Sequence, residues 1–298
     1  GKDKKRGKTD FSNVIDLAGE YSGDRAKLVN TDPASSHEES DCCKIWKIPE
    51  VEGLFVLTNA LDKKEQVFWA KKAVSEFSKC AHTNLTNLYG PQPDHWADSV
   101  KCKNIGKDSG FYKLRWASLG FHYDWTKRLY HKNEKSDFPD ELAQKANSLA
   151  KKVGLCIDSE AAIVNFYPFD GSMGGHIDDA ELTLDYPIVS MSIGCAAVFL
   201  IGGKTKDKDP TAIFVRSGDV VIMGGHSRLC YHGVPRIVKG TCTELVDWIK
   251  DTSVGSEDNQ LLAQYLEASR INMNIRQVVD SKNNFESSQK SAYPRANK

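Results

Sequence analysis

A chain of 298 residues, 40% of them hydrophobic, can bury a sizeable core in one or two domains. Lys and Arg balance Asp and Glu to a formal net charge of zero, so bulk charge does not advertise a polyanionic partner, and a nucleic-acid substrate would need a local basic surface. The eight cysteines lack the Cys-x-x-Cys spacing of a zinc site, and neither a secretory signal nor a long apolar span occurs, so the expectation is reduced thiols in an intracellular compartment without a membrane association. Nucleus, cytoplasm and mitochondrion all stay open.

Residues 1–44 are polar and charged, opening with Lys2, Lys4, Lys5, Arg6 and Lys8, and read as a solvated tail, disordered or draped over a neighbouring surface. A nuclear-targeting or nucleic-acid-steering role is the alternative for that run. Val51 to Leu57 reads as a strand. Asp62 to Ser78 reads as a helix, with Asp62 and Glu65 placed as a capping box and Val67, Ala70, Val74 and Phe77 on one face. From His82 to Gly110, Gly, Pro, Asn and Asp are frequent and loop is expected. Lys113 to Tyr130 interleaves Trp116, Phe121, Tyr123, Trp125 and Tyr130 with Lys113, Arg115, Lys127 and Arg128. A second helix is expected from Pro139, at its first position, to Val153, with Leu142, Ala146 and Leu149 as its stripe and Gly154 as its cap.

After Gly154 the pattern changes to short β-branched runs near 161–167, 187–193, 197–201, 211–215, 219–223 and 271–279, separated by Gly, Asp and Pro. Such spacing suggests a sandwich or barrel, mostly β with flanking helices. Thr241 to Ala268 interrupts the strands with a polar stretch and one helix, roughly Asn259 to Ala268. The organisation is therefore a tail (1–44), a helical support (45–154), a β core (155–280) and a second polar tail (281–298).

Within the β region His176-Ile177-Asp178 precedes His232, and Arg270-Ile271-Asn272-Met273-Asn274-Ile275-Arg276 follows. Two imidazoles and one carboxylate form the facial triad that holds non-haem Fe(II) with positions left open. On a strand, ligands two residues apart project from one face. The pattern is weak alone, because His122-Tyr123-Asp124 repeats it. His176 is favoured by the apolar run from Ala161 to Tyr167 and the glycine-rich turn Gly171 to Gly175 before it. The arginines suit an acidic co-substrate through bidentate hydrogen bonds, with an outward polar strand face as the bland alternative. Cys230, two residues before His232, mimics a soft ligand but suits a buried small hydrophobe better.

These residues resemble the AlkB family of Fe(II)- and 2-oxoglutarate-dependent dioxygenases from about Lys113 to Val278, and more loosely back to Val51. The resemblance rests on Asn165-x-Tyr167, His176-x-Asp178, Pro187 to Gly194, Ser217 to Gly225, Ser227-Arg228-Leu229, Tyr231-His232-Gly233 and Arg270-x-Asn272-x-Asn274-x-Arg276, the last with Asn where Thr is usual. Leu114 to Trp125 looks most like the eukaryotic homologue-one branch. It implies a double-stranded β-helix, or jelly roll, buttressed by the two N-terminal helices, with residues 45–154 also supplying a nucleotide-recognition lid. It assigns Fe(II) to His176, Asp178 and His232, with 2-oxoglutarate and O2 in the open positions. It gives the distal C5 carboxylate to Arg270 and Tyr167, places Arg276 and Asn165 near the C1 end, and counts Asn272 with the co-substrate residues. Trp116 and Tyr123 become the substrate-side candidates.

The chemistry so implied is oxidative decarboxylation of 2-oxoglutarate to succinate, coupled to hydroxylation of an N-methyl group that then sheds formaldehyde. The expected substrate is a methylated base in RNA, such as tRNA, or in DNA, single-stranded or looped because the base must reach a buried iron; a monomer is expected. The sequence departs from the bacterial pattern where Ala180 and His226 replace acidic residues, which leaves substrate choice open. Two alternatives stand beside this reading: a hydroxylase of protein side chains or small molecules, and a catalytically silent nucleic-acid-binding module.

Overall fold

The computed structural model describes residues 10–18, 21, 23–29, 43–252 and 256–280. The expectations for the basic run from Lys2 to Lys8, for residues 30–42 and for the tail from 281 to 298 lie outside the described residues. Five strands precede the β core: β1 (Lys27–Val29), β2 (Lys44–Lys47), β3 (Leu54–Thr58), β4 (Trp116–Asp124) and β5 (Leu129–Lys135). The core itself contains β6 (Ala161–Pro168), β7 (Met173–His176), β8 (Ile188–Gly194), β9 (Ala196–Ile201), β10 (Thr211–Val215), β11 (Val220–Met223), β12 (His232–Val238) and β13 (Ser269–Arg276).

These strands form two sheets, ordered β1-β2-β3-β11-β8-β13-β6-β4-β5 and β10-β9-β12-β7. From β6 onward the chain changes sheet at every connection except the β9–β10 hairpin, and its neighbours pair antiparallel. Two facing four-stranded layers wound in this way are a jelly roll, which leaves a space between the layers. The first five strands widen the larger sheet on both edges.

The alternation along β13 shows how sequence divides the interior. Ile271, Met273 and Ile275 are fully buried against the helices, while Arg270, Asn272 and Arg276 are buried on the opposite face, toward the smaller sheet. Each buried aliphatic side chain contributes roughly 1.5–3 kcal/mol. A strand buried on both faces can thus hold costly polar groups on one side because its other side is wholly apolar.

Six helices cover the outer face of the larger sheet: α1 (Lys63–Ser75), α2 (Asn84–Tyr89), α3 (His95–Cys102), α4 (Asp140–Lys151), α5 (Thr243–Thr252) and α6 (Glu257–Glu267). The capping box is present: Asp62 Oδ1 accepts from Glu65 N at 2.8 Å, and Glu65 Oε2 accepts from Asp62 N at 3.2 Å. Trp69 and Ala73 join Ala70 and Val74 in the buried face of α1, while Val67 is only half-buried. Pro139 is the residue before α4 rather than its first helical position. Gly154, at φ +74°, closes that segment in the left-handed region that glycine tolerates best.

Three stretches differ from expectation. The expected polar tail supplies β1 to the larger sheet and buries Ile15, Leu17 and Ala26 in the core, because these apolar side chains find partners in the β region. The loop expected over His82 to Gly110 contains α2 and α3, capped by Thr83 and Asp94. The insertion from Thr241 to Ala268 holds two helices rather than one, and its Leu245, Val246, Ile249, Leu261, Leu262 and Leu266 are buried in the helix-side core. Its role is packing. Among the described residues no helix is long and apolar enough to cross a membrane.

Candidate active site

The two candidate imidazoles meet because β7 and β12 are paired. His176 ends β7, His232 begins β12, and the register sets them directly opposite each other. Their ring centroids lie 4.4 Å apart. Asp178, just past the end of β7, places Oδ1 3.6 Å from His176 Nε2 and Oδ2 3.8 Å from His232 Nε2. These are the only three His, Cys, Asp or Glu residues among the described residues whose ligand atoms converge, all within 4.8 Å.

Main-chain carbonyls fix both rings. His176 Nδ1 lies 2.9 Å from Gly174 O, and His232 Nδ1 lies 3.1 Å from Cys230 O. A carbonyl only accepts, so each Nδ1 carries a proton and each Nε2 is left to face Asp178. Burial holds His232 below the ordinary imidazole range against the pull of Asp178, which keeps it neutral. Burial alone would raise the Asp178 carboxyl, but the Arg276 guanidinium beside it outweighs burial and holds the group well below the usual carboxylate range. Two imidazoles whose Nε2 atoms turn toward one ionised carboxylate are a donor set that fits Fe(II). Cys230 contributes its carbonyl; its thiol is buried and directed toward His226 O.

A cavity of about 400 Å³ opens from this triad into the space between the sheets, with Asn165, Tyr167, Arg270, Asn272 and Arg276 in its lining. The β6–β13 register pairs Arg270 with Tyr167 and Asn272 with Asn165. Arg270 is 3% exposed, donates to Ser192 Oγ at 2.8 Å and to Val215 O at 3.4 Å, and leaves Nε without a partner. Among the described residues no carboxylate makes an ion pair with it, buried Asp219 acting only at longer range, and burial pulls its guanidinium down to about 10. A buried cation hydrogen-bonded only to neutral groups is costly unless an anion joins it. The outward polar face is therefore excluded for β13. Burial raises the Tyr167 phenol to about 12, so it remains a hydroxyl donor. Asn272 is committed elsewhere: its amide donates to Ser190 Oγ and Met191 O, both at 2.9 Å.

Arg276 has a different environment. Its NH2 lies 3.2 Å from Asp178 Oδ2, and its NH1 lies 2.9 Å from Glu181 Oε1. Glu181 also accepts from Arg228 NH2 at 2.8 Å, and Arg228 in turn donates to the Asp178 and Tyr186 carbonyls. This fully buried network braces Asp178 from behind, and sequence reading gave Arg228 and Glu181 no role in it. A signal existed, since an Arg buried between two apolar strands needs an acid nearby.

The cavity mouth is formed by the β4–β5 hairpin. Tyr123, Trp125 and Arg128 line it, and the Tyr123 and Trp125 rings meet edge to face at 4.8 Å. Trp116 lies behind, with its ring 5.2 Å from that of Trp125, and is not among the lining residues. Phe121 and Tyr130 are buried packing groups. Of the acids near the mouth, Asp179 approaches Arg128 at 3.9 Å and Glu181 is held by two arginines, with Ala180 between them in the lining. His226 is exposed on the turn before β12.

A jelly roll with two imidazoles, a carboxylate and a buried arginine around one cavity defines an oxygenase-type site. The family model of the 2OG-Fe(II) oxygenase superfamily matches residues 53–276, and the chain belongs to that superfamily. Within it the chain falls in the AlkB group, on the homologue-one branch. It is 36% identical over 273 residues to the DNA N(6)-methyladenine demethylase ALKBH1A of Arabidopsis thaliana, across 80% of this chain and 79% of that protein. It is 36% identical over 173 residues to the tRNA demethylase abh1 of Schizosaccharomyces pombe, across 57% of this chain and 54% of that protein. The solved structure of OsALKBH1 shares the fold, with a TM-score of 0.56 at 23% identity, over 78% of this chain and 99% of that one.

Proposed function

We propose that this chain is an Fe(II)- and 2-oxoglutarate-dependent oxidative demethylase of N-methylated bases in nucleic acid, RNA such as tRNA or DNA, releasing formaldehyde, succinate and CO2. One observation carries the reading: Arg270, a buried guanidinium that forms no ion pair among the described residues, shares a cavity of about 400 Å³ with the convergent triad. A dicarboxylic co-substrate with one end near the triad and the other at Arg270 would neutralise that charge. The relatives' names for DNA and tRNA substrates support a nucleic-acid target without choosing between them.

In this reading His176, Asp178 and His232 hold Fe(II), which supplies, with O2 and 2-oxoglutarate, the oxidising power for C–H hydroxylation. The protein's own residues do the positioning. Arg270 and the Tyr167 hydroxyl take the C5 carboxylate, while Asn165 and Arg276 stand at the C1 end. Arg276 also keeps Asp178 ionised and oriented. Asn272, its amide committed to Ser190 and Met191, supports the arginine strand from inside.

Tyr123 and Trp125 receive the target base at the mouth, and Trp116 backs Trp125. The protein acts as a monomer inside the cell, on single-stranded or looped substrates, since extracting a base from a duplex costs a few kcal/mol. The test is mass spectrometry of modified nucleosides after incubation of N-methylated oligonucleotides with protein, Fe(II) and 2-oxoglutarate. Loss of the methyl mark with stoichiometric succinate and formaldehyde is expected. Succinate formation with no change in any methylated nucleoside would instead favour a protein or small-molecule hydroxylase.

A further inference from the structure

A second concavity, about 560 Å³, lies beside the mouth and is open to solvent. It shares Met173, Gly174, Gly175, His232 and Gly233 with the cavity that holds the triad, so the two spaces adjoin across β7 and the start of β12. Part of its lining is glycine backbone, beside Met173, Leu200 and Pro235. A Cβ built on Gly174 or Gly175 would meet nothing within 4 Å, so the space over this backbone is open. One wall comes from the β9–β10 loop, Gly202-Gly203-Lys204-Thr205-Lys206-Asp207-Lys208-Asp209-Pro210, of which Gly202, Thr205, Lys206, Lys208 and Pro210 line the groove with Tyr231 beside them.

Three features of that wall point to one chemistry. Lys204, Lys206 and Lys208 recur at every second position and are exposed. Lys206 Nζ stands over the Tyr231 ring at 5.2 Å, which sets a cation against an aromatic face at the groove's edge. The loop is anchored at both ends of its curve: Tyr231 N donates to Gly203 O at 2.8 Å, and Lys208 Nζ donates to Glu50 O at 2.7 Å. Cations along an open groove with a stackable ring are what an unpaired polynucleotide strand requires, because phosphates need charge and bases need a flat apolar surface.

We infer that this groove carries the strand adjoining the target nucleotide, with Lys204 and Lys206 on its phosphates and Tyr231 under a neighbouring base. The inference rests on the demethylase reading and adds to it a path for the strand outside the catalytic cavity. It also explains how a chain of zero net charge engages a polyanion: the charge is local and beside the mouth.

The test compares a 20-nucleotide single strand bearing one central N6-methyladenine with a trinucleotide bearing the same base. The variants are Lys204→Glu with Lys206→Glu, and Tyr231→Ala, each checked by its melting temperature. Kd is measured by fluorescence anisotropy over a range of salt concentrations, and 2-oxoglutarate binding is measured alongside. The double variant is expected to weaken 20-mer binding at least about tenfold and to flatten the plot of log K against log salt by roughly 1.4, which corresponds to two lost phosphate contacts on single-stranded nucleic acid. Turnover of the trinucleotide and binding of 2-oxoglutarate should not change. Tyr231→Ala should weaken 20-mer binding with little change in slope. If the parent binds the 20-mer but both variants match it in affinity and slope, the groove carries no strand while the demethylase reading stands. A parent that neither binds nor demethylates any oligonucleotide would overturn both. Poly-glutamate displacing the 20-mer as well as unlabelled strand does, with Tyr231→Ala silent, would assign the groove to an acidic protein and overturn the inference.

Discussion

The chain contains the tripeptide pattern His-x-Asp twice, and the two copies have opposite fates. His176 and Asp178 lie at the end of a short strand whose partner presents His232 directly opposite. His122 lies inside β4, buried, with its ring 3.5 Å from that of His82 in a parallel stack. A register shift between Phe121 and Tyr123 disturbs the β4–β5 pairing there. Asp124 is used for the hairpin turn, where Oδ1 accepts from Thr126 N and Lys127 N and Oδ2 meets His131 Nε2 at 3.3 Å. Spacing alone puts two ligands on one face; only a third ligand from a paired strand makes them converge. The first copy is a candidate reaction centre, and the second is a folding element.

The most severe test of that division is of the network behind Asp178. Glu181→Ala leaves two buried guanidiniums without their shared acid and is expected to cost about 3–5 kcal/mol in denaturant unfolding. Asp124→Ala, at an exposed turn, is expected to stay within about 1 kcal/mol of the parent. Equal stability of the two variants would show that the network does not hold the Asp178 loop. Next in size, Arg270→Lys retains charge but loses the planar fork, so KM for 2-oxoglutarate should rise roughly 10- to 100-fold, or about 1.4–2.8 kcal/mol. His122→Phe should leave that KM where it was. An unchanged KM in Arg270→Lys would remove the co-substrate from β13.

At the mouth, Trp125→Ala should lose about 1–3 kcal/mol of oligonucleotide binding if its ring stacks on a base, with 2-oxoglutarate turnover in the absence of nucleic acid preserved. Trp116→Ala should lose less, because that ring reaches the cavity only through Trp125. A larger effect of Trp116→Ala, in a variant that melts normally, would reverse the order of the two rings.

The last expected effect concerns pH. Burial and the adjacent His82 depress His122 to about 4, so it is neutral in the fold while the unfolded chain takes up a proton near 6.5. Its contribution is intact above pH 6.5 and is lost as pH falls toward 4, by on the order of 1–3 kcal/mol. Asp219 runs the other way: burial raises it to about 6, so the folded state binds its proton more tightly and gains stability as pH falls from 6 toward 4. The difference between the parent and His122→Phe isolates the histidine. Parallel curves of stability against pH would show that His122 is solvated.

Legibility in the sequence followed the range of the signal. The triad and the arginine strand were readable because each side chain's chemistry is unusual for its place, and strand alternation sets who shares a face. α1 was readable from its capping box. By contrast α2 and α3, 6 and 8 residues long, lie among Gly, Pro and Asn, and are secured by tertiary contacts such as Trp96 with Phe111 and Tyr265. The β4–β5 turn lacks a turn dipeptide; Asp124 and Arg128, in the left-handed region at φ 56°, make it instead. β7 was hidden by Gly174 and Gly175, which are poor strand formers supported only by β12. α5 could have been found, since Leu245, Val246 and Ile249 recur at helical spacing. Trp125 could not be ranked above Trp116 from sequence, because both sit in one aromatic run and the hairpin decides which ring faces the cavity.

The central claim is that convergence, not the tripeptide, makes the metal site. Equilibrium dialysis of Fe(II) under anaerobic conditions, with 2-oxoglutarate present, tests it on Asp178→Ala and Asp124→Ala side by side. One tightly bound iron per chain is expected in the parent and in Asp124→Ala, and none in Asp178→Ala, although both variants remain folded. Iron retained by Asp178→Ala and lost from Asp124→Ala would contradict the account and place the centre at the other histidine.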